Sequence, residues 1–284
     1  MRSINIDQEL ISELTGHIRE KNHEAALAML DQFRPEDIAD IFWDIDLPEA
    51  KYIILAIGKE KAVEVIRSLD AELQGRFFKG YQAREIAEDV IEYLDSDDAV
   101  DILNLLSAQK SAEVLSYLSD QQFAKNLVSL LHYDDDIAGG LMAKELIKVR
   151  THWTMIQCVE EIRKQAEEVD VVHVVYAVDA DDILLGIVSL KAIVLAKANS
   201  TVQDLVNHQF ISVNAYATGE EVARLMNKYD LIAIPVVDSM GRLMGRITID
   251  DVVDFIKEEA DRDYQLQAGL SENVDSTDKV LVLS

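Results

Sequence analysis

From about residue 24 to residue 131 the apolar positions recur at helical spacing, in short bursts rather than long stripes. The bursts resemble one another. Ile38-Ala39-Asp40-Ile41, Ala62-Val63-Glu64-Val65, Ile86-Ala87-Glu88-Asp89 and Ala112-Glu113-Val114-Leu115 follow at intervals of roughly 24 residues. A second series falls between them: Tyr52-Ile53-Ile54-Leu55, Arg76-Phe77-Phe78-Lys79, Val100-Asp101-Ile102-Leu103 and Ala124-Lys125-Asn126-Leu127. The pattern predicts a repeat of two helices, each about ten residues long, joined by tight turns. Such a pair cannot bury its apolar face alone, so successive pairs are expected to stack into a small superhelical array. Pro35 and Pro48 suit first-turn helix positions, where a missing N–H costs nothing.

The pattern breaks along Asp134-Asp135-Asp136-Ile137-Ala138-Gly139-Gly140-Leu141-Met142. Paired glycines allow backbone angles that a helix forbids, which predicts a boundary. Beyond it the chain is duplicated. Val175-Tyr176-Ala177-Val178-Asp179, a polar turn and Leu184 to Leu190 match Ile234-Pro235-Val236-Val237-Asp238, a turn and Leu243 to Ile249, at an offset of 59 residues (175 to 234). Ahead of each pair lie another strand, Leu146 to Arg150 or Phe210 to Asn214, and a helix capped by Thr154 or Thr218. The repeated unit therefore reads strand, helix, strand, turn, strand, helix.

Composition narrows the function classes. Fifty-three Asp and Glu stand against 27 Lys and Arg, a formal charge of −26. Such a chain repels phosphate backbones and anionic lipid surfaces, which argues against nucleic acid as a partner. Acidic elements packed together also repel unless neutralised, and divalent cations or cationic partners are the obvious candidates. Cys158 is the one cysteine and sits in an amphipathic helical pattern, as a reduced core thiol would. The histidines, His17, His23, His132, His152, His173 and His208, show no metal-ligand spacing with it, and His173 alternates within an expected strand. No Ser, His and Asp nucleophile motif appears, so no catalytic residue is assigned and a hydrolase finds no support. Trp43 and Trp153 read as packing residues, and Met226, Met240 and Met244 as fillers of helices and strands. With no basic-then-apolar leader and no run of about 18 apolar residues, the chain is expected to be soluble.

The duplicated unit resembles the CBS domain, which usually occurs as a tandem pair. The second copy carries the clearer motif: Pro235-Val236-Val237-Asp238, the Gly241-Arg242 turn, Leu243 to Gly245, then Thr248, Asp251 and Val252-Val253. Preceded by short-helix repeats and the Ala138-Gly139-Gly140-Leu141-Met142 junction, the pair resembles the cytoplasmic region of the MgtE family of bacterial magnesium transporters. Glu220-Glu221-Val222-Ala223-Arg224-Leu225-Met226, Tyr229-Asp230 and Thr248-Ile249-Asp250-Asp251-Val252-Val253-Asp254 are similar as well. The resemblance implies an α-helical superhelical domain over 1–135, an α+β tandem CBS pair over 136–199 and 200–257, and a C-terminal connecting helix and tail over 258–284. The connecting helix, beginning at Glu258 and continuing to Leu266 and Gly269, and the tail, apolar at Val280 to Leu283, would lead to a membrane domain not contained in this sequence. The implied place is the cytoplasmic side of the membrane, and the implied assembly is a homodimer through the CBS domains.

The same resemblance implies Mg2+ as cofactor and carries metal roles to Glu64, Asp97, Asp101, Gly140, Glu220, Asp230, Asp251, Asp254 and Glu259, with Gly140 acting through its carbonyl. Magnesium prefers oxygen ligands and keeps several waters, so one or two carboxylates per element suffice. Asp97 and Asp101 sit four apart, on one face of a helix, although Ser96-Asp97-Asp98 would equally suit a helix N-terminus. The acids of the second copy fit a solvated face at a helix start just as well. CBS pairs often bind adenine nucleotides, and Thr248, Asp251 and, in the first copy, Ser189 match that motif. The first copy departs from it, with Ala192 at the Asp position and Lys191 before it. The implied function is a magnesium-sensing regulatory part that closes a transporter or channel; the alternative is a stand-alone adenine-nucleotide sensor acting on a partner protein.

Overall fold

The computed structural model describes residues 6–267 apart from residues 168, 170 and 198, so the expected tail beyond 267 lies outside the described residues. The chain divides into two compact units, Met1–Tyr133 and Asp134–Ser284.

The first unit is helical: α1 (Gln8–Arg19), α2 (His23–Leu30), α3 (Pro35–Ile41), α4 (Leu47–Ala56), α5 (Lys59–Arg67), α6 (Ala71–Lys79), α7 (Ala83–Asp89), α8 (Ser96–Asn104), α9 (Ala108–Tyr117) and α10 (Gln121–Leu130), with a 3-10 turn at Ile91–Tyr93. Each of the eight repeated bursts lies in its own helix, from α3 to α10. Equivalent helices pack on one another, α3 on α5, α7 on α9 and α8 on α10, as a stack of two-helix repeats requires. Pro35 and Pro48 both occupy first-turn positions. Side chains of Asp46, Asp70, Ser107 and Asp120 cap α4, α6, α9 and α10 by accepting backbone N–H bonds, which stops one short helix and starts the next. Ile38, Ile53, Ile66, Phe78, Ile86 and Ile102 are among the fully buried side chains of the stack. Burying each contributes about 1.5–3 kcal/mol. Trp43 does not pack as the sequence suggests. It is 50% exposed, because the residues after α3 form a turn at the surface.

The second unit holds two three-stranded sheets. One contains β1 (Ile147–Arg150), β2 (Val175–Val178) and β3 (Leu184–Val188), and the other β4 (Val213–Asn214), β5 (Ala233–Val237) and β6 (Leu243–Thr248). In each the first pairing is parallel and the second antiparallel. The duplication extends to irregularities. A register shift falls between Ala177 and Val178 in one sheet and between Val236 and Val237 in the other. Helices α11 (Met155–Gln165), α12 (Leu190–Leu195), α13 (Gly219–Tyr229) and α14 (Ile249–Gln267) complete the copies, and Thr154 and Thr218 cap α11 and α13. Cys158 is buried in α11, where burial pushes its thiol up. Trp153 packs partly buried against that core, and Met226 is buried in α13.

The two copies are joined by backbone bonds given in both directions. Leu184 N donates to Gly241 O at 3.0 Å, and Leu243 N donates to Asp182 O at 2.9 Å. Asp182 and Gly241 are equivalent turn positions, with φ of 60° and 80°. Glycine adopts this geometry without strain. Asp182 is anchored there by Lys148 at 3.0 Å and Arg150 at 2.8 Å, which hold its carboxyl below the usual range although burial opposes them.

Several expectations change. The strand expected over Phe210 to Asn214 shrinks to Val213–Asn214, and His173 precedes β2 instead of lying in a strand. Met240 sits in the turn before β6 and is 63% exposed, so it fills no core. The Gly139-Gly140 junction also works differently from the reasoning about backbone angles, since neither residue has positive φ. At Gly140 the cause is proximity: a Cβ there would lie 2.3 Å from the Asp134 carbonyl oxygen.

Gly140→Ala is therefore expected to destabilise the second unit by about 1–3 kcal/mol, because the obstacle is backbone and cannot rotate away. Gly75→Ala, inside α6 with open space around the new methyl, is expected to stabilise the first unit by up to about 1 kcal/mol. Urea unfolding of the two variants checks both signs; equal behaviour would contradict the packing described.

Candidate functional site

In the first unit Glu64, Asp95, Asp97 and Asp98 surround Arg67 with negative charge. α8 begins at Ser96 with Asp95 as its N-cap residue, and Asp97 and Asp98 lie in the first turn, where carboxylates favour the helix dipole. Asp97 Oδ1 accepts the Asp98 backbone N–H at 3.0 Å. From α5, Arg67 Nε pairs with Asp98 Oδ2 at 2.8 Å and Arg67 reaches Glu64 at 3.5 Å. Burial pulls Arg67 down, but Asp98, Glu64, Asp95 and Asp97 together hold its guanidinium above the ordinary value. Glu64 and Asp97 are thus brought into one electrostatic neighbourhood. Asp101 lies one turn further along α8, exposed. The sequence reading missed Arg67 as the counter-charge, although its spacing of three from Glu64 was a usable signal.

In the second unit, Glu220 is exposed in the first turn of α13. Asp230 ends that helix in the left-handed conformation, φ 51°. α14 carries the remaining acids. Asp251 Oδ2 accepts the Thr248 backbone N–H at 2.7 Å. Burial raises the Asp251 carboxyl, while the Thr248 bonds and Arg246 oppose the rise. Asp254 pairs with Lys257 at 2.7 Å and Glu259 with Arg262 at 2.5 Å. Glu258, which received no role from the sequence, feels several of these acids. Crowding by protein raises its pKa, Arg262 opposes, and Asp254, Asp135 and Glu259 raise it further. Asp135 comes from the acidic run before Gly139 and joins α14 only through the fold.

The donors at both faces are oxygens alone, with no His or Cys, which fits a hard cation such as Mg2+. Among the described residues, no three His, Cys, Asp or Glu side chains form a ready-made metal centre within the structure. Gly140 N donates to Ile137 O at 2.9 Å.

The nucleotide candidates separate. Ser189 Oγ accepts the Ala192 N–H at 3.1 Å and caps α12, whereas Thr248 is buried and bonded through its backbone to Asp251. Arg246, buried on β6, donates from Nε to the Glu145 carbonyl, and its backbone exchanges bonds with Ala143. Nothing in the linear motif singles out this residue, because an Arg in a strand ordinarily reads as solvent-facing.

Among the described residues no helix is long and apolar enough to cross a membrane. Residues 33–136 match the family profile of the MgtE intracellular N domain, and residues 136–199 and 202–258 each match the CBS domain profile. The chain is 31% identical over 261 residues to the magnesium transporter MgtE of Thermus thermophilus, covering 91% of this chain and 58% of that protein. It is 29% identical over 274 residues to the Bacillus subtilis magnesium transporter MgtE, covering 96% and 60%. The chain thus spans about three-fifths of the length of these curated relatives. A solved cytosolic domain of the Mg2+ channel MgtE, in complex with ATP, superposes with a TM-score of 0.78 at 29% identity, covering 86% of this chain and 99% of that one. The soluble part of a magnesium transporter gives a TM-score of 0.77 at 24% identity, covering 89% and 99%, which shows the shared fold. Helical repeats, two CBS copies and their order along the chain agree with these matches, and the chain belongs to the MgtE family, carrying its intracellular N domain followed by a tandem CBS pair.

Proposed function

We propose that this chain is the cytoplasmic magnesium-sensing part of a magnesium transporter or channel, acting without catalysis of its own. The observation that carries the reading is the raised Glu258 carboxyl: burial lifts it first, Arg262 opposes, and Asp254, Asp135 and Glu259 add to the rise. A bound Mg2+ would add to the positive charge that Lys257 and Arg262 supply there. Asp251, Asp254 and Glu259 with Glu220 and Asp230 are the candidate ligands of the CBS unit, and Glu64, Asp97 and Asp101 those of the helical unit, with the Gly140 carbonyl as a further oxygen. At low magnesium the acidic faces of helical unit, CBS pair and connecting helix repel one another. Magnesium favours the state in which those faces are held together, and that state closes the membrane part.

Only differential binding can shift such an equilibrium. If the closed state binds each of about three ions roughly tenfold better, the bias is about 4 kcal/mol. Val194, Leu195, Val253 and Ile256 form exposed apolar positions on α12 and α14 and support a homodimer through the CBS copies. A second reading rests on the relative solved with ATP. Thr248, Asp251 and Ser189 would then contact an adenine nucleotide, whether in a transporter or in a free-standing sensor; calorimetry with ATP separates this reading by the loss of binding in Asp251→Ala.

Limited proteolysis with and without about ten millimolar magnesium is expected to show protection near Gly139-Gly140 and along α14. Unchanged cleavage there counts against a gate. The double variant Asp97→Asn, Asp101→Asn should need several-fold more magnesium for the same protection. Because Glu258 is held above its ordinary value, protons compete there as pH falls, so the magnesium midpoint should rise as the pH is lowered. A midpoint independent of pH would show that the Glu258 carboxyl does not feel the bound ion.

A further inference from the structure

Away from the acidic faces, the helical unit holds a cleft of about 470 Å³ at α7 and α9, large enough for a small molecule. Tyr81, Arg84, Ser107, Lys110, Glu113 and Tyr117 are among its walls. In a chain with twice as many acids as bases, a cation in a cleft is expected to have a carboxylate against it. Lys110 does not. Its Nζ donates to the neutral Phe78 carbonyl at 2.8 Å, and no carboxylate among the described residues lies within ion-pair distance. Burial pulls this ammonium down, and Glu113 and Glu85 offset that only from a distance. Arg84 engages Glu88 through Nε at 2.8 Å, which leaves its terminal nitrogens to other partners. Tyr81 is 4% exposed, and its hydroxyl has no hydrogen-bond partner among the described residues. A buried hydroxyl left in this state costs free energy that a ligand oxygen would recover.

These groups specify a ligand chemistry. Two cations and a phenol suit one carboxylate, since Arg and Lys donors bind carboxylate oxygens through charge-assisted bonds. Glu113 accepts Gln109 Nε2 at 3.0 Å and has further acceptor capacity, so it suits a donor on the same ligand. A phosphate dianion brings more negative charge than this neighbourhood compensates, because Glu113, Glu85 and Glu88 stand nearby and the chain carries a net charge of −26. Tyr117, half-exposed at the end of α9, offers a ring to cover the organic part.

We propose that the α7–α9 cleft binds a small α-amino or α-hydroxy carboxylate, with Lys110, Arg84 and Tyr81 taking its carboxylate and Glu113 its amino or hydroxyl donor. This makes the helical unit a sensor of a small organic acid, separate from the acidic faces above.

The test is a thermal-shift and calorimetric titration of the full chain with L-alanine, L-lactate and inorganic phosphate at fixed ionic strength without magnesium. One of the two organic acids is expected to bind and to raise the melting temperature, and phosphate is expected to do neither; which acid binds distinguishes an ammonium from a hydroxyl at Glu113. Lys110→Met should weaken that binding at least tenfold. Tyr81→Phe should weaken it several-fold while leaving the unliganded protein no less stable, because the methylene and ring packing is kept. Absence of binding by both acids at about ten millimolar overturns the proposal. So does equal binding of phosphate, or unchanged affinity in a folded Lys110→Met protein. Since no magnesium is present, failure here leaves the magnesium reading standing.

Discussion

The rest of the structure depends on where the excess negative charge is put. Fifty-three carboxylates face 27 cations, and ion pairing cannot absorb them. Many serve as helix starts, where backbone N–H groups and the helix dipole stabilise them: Asp46 and Glu49 at α4, Asp70 at α6, Asp120 at α10 and Glu85 at α7. Those acids are committed to folding. What distinguishes Glu258 and its neighbours is that carboxylates from two stretches of chain, Asp135 and α14, act on one group, with Arg262 opposing them there and Lys257 paired to Asp254. Such a face is least stable when fully ionised and unscreened.

The CBS unit supports that face through its duplication. The bonds from Leu184 N to Gly241 O and from Leu243 N to Asp182 O tie the two β-hairpins together at equivalent turns. Ala143 and Arg246 exchange backbone bonds in the same manner as Ile187 and Asn207, so each copy is completed at a strand edge by a segment leading into the other. α13 and α14 therefore sit on a frame in which neither copy is closed by itself. Cooperative behaviour of the pair follows from this exchange rather than from any single contact.

Most of the architecture was readable because it repeats. Eight apolar bursts gave eight helices, and the 59-residue offset (175 to 234) gave two sheets with matching register shifts. Thr154 and Thr218 were legible as caps because a Thr just ahead of an amphipathic pattern has a local mechanism. Trp43 and Met240 were misread because residue type says little about which side of a turn faces water. The Gly140 error has the same origin: a close approach to the Asp134 carbonyl is a tertiary fact, invisible in a glycine pair. For the candidate site, helical spacing located the acids of α8 and α14. Arg67 opposite Asp98, and Asp135 beside Glu258, arise between elements and leave no mark on local spacing.

The central claim is that neutralising these acidic faces changes the state of the chain. Small-angle scattering across a magnesium titration at constant ionic strength tests it most directly. The account predicts a radius of gyration that falls as magnesium rises to about ten millimolar, with no such fall when a monovalent salt replaces it. A radius of gyration that stays constant over the titration, in protein that remains folded, would contradict it.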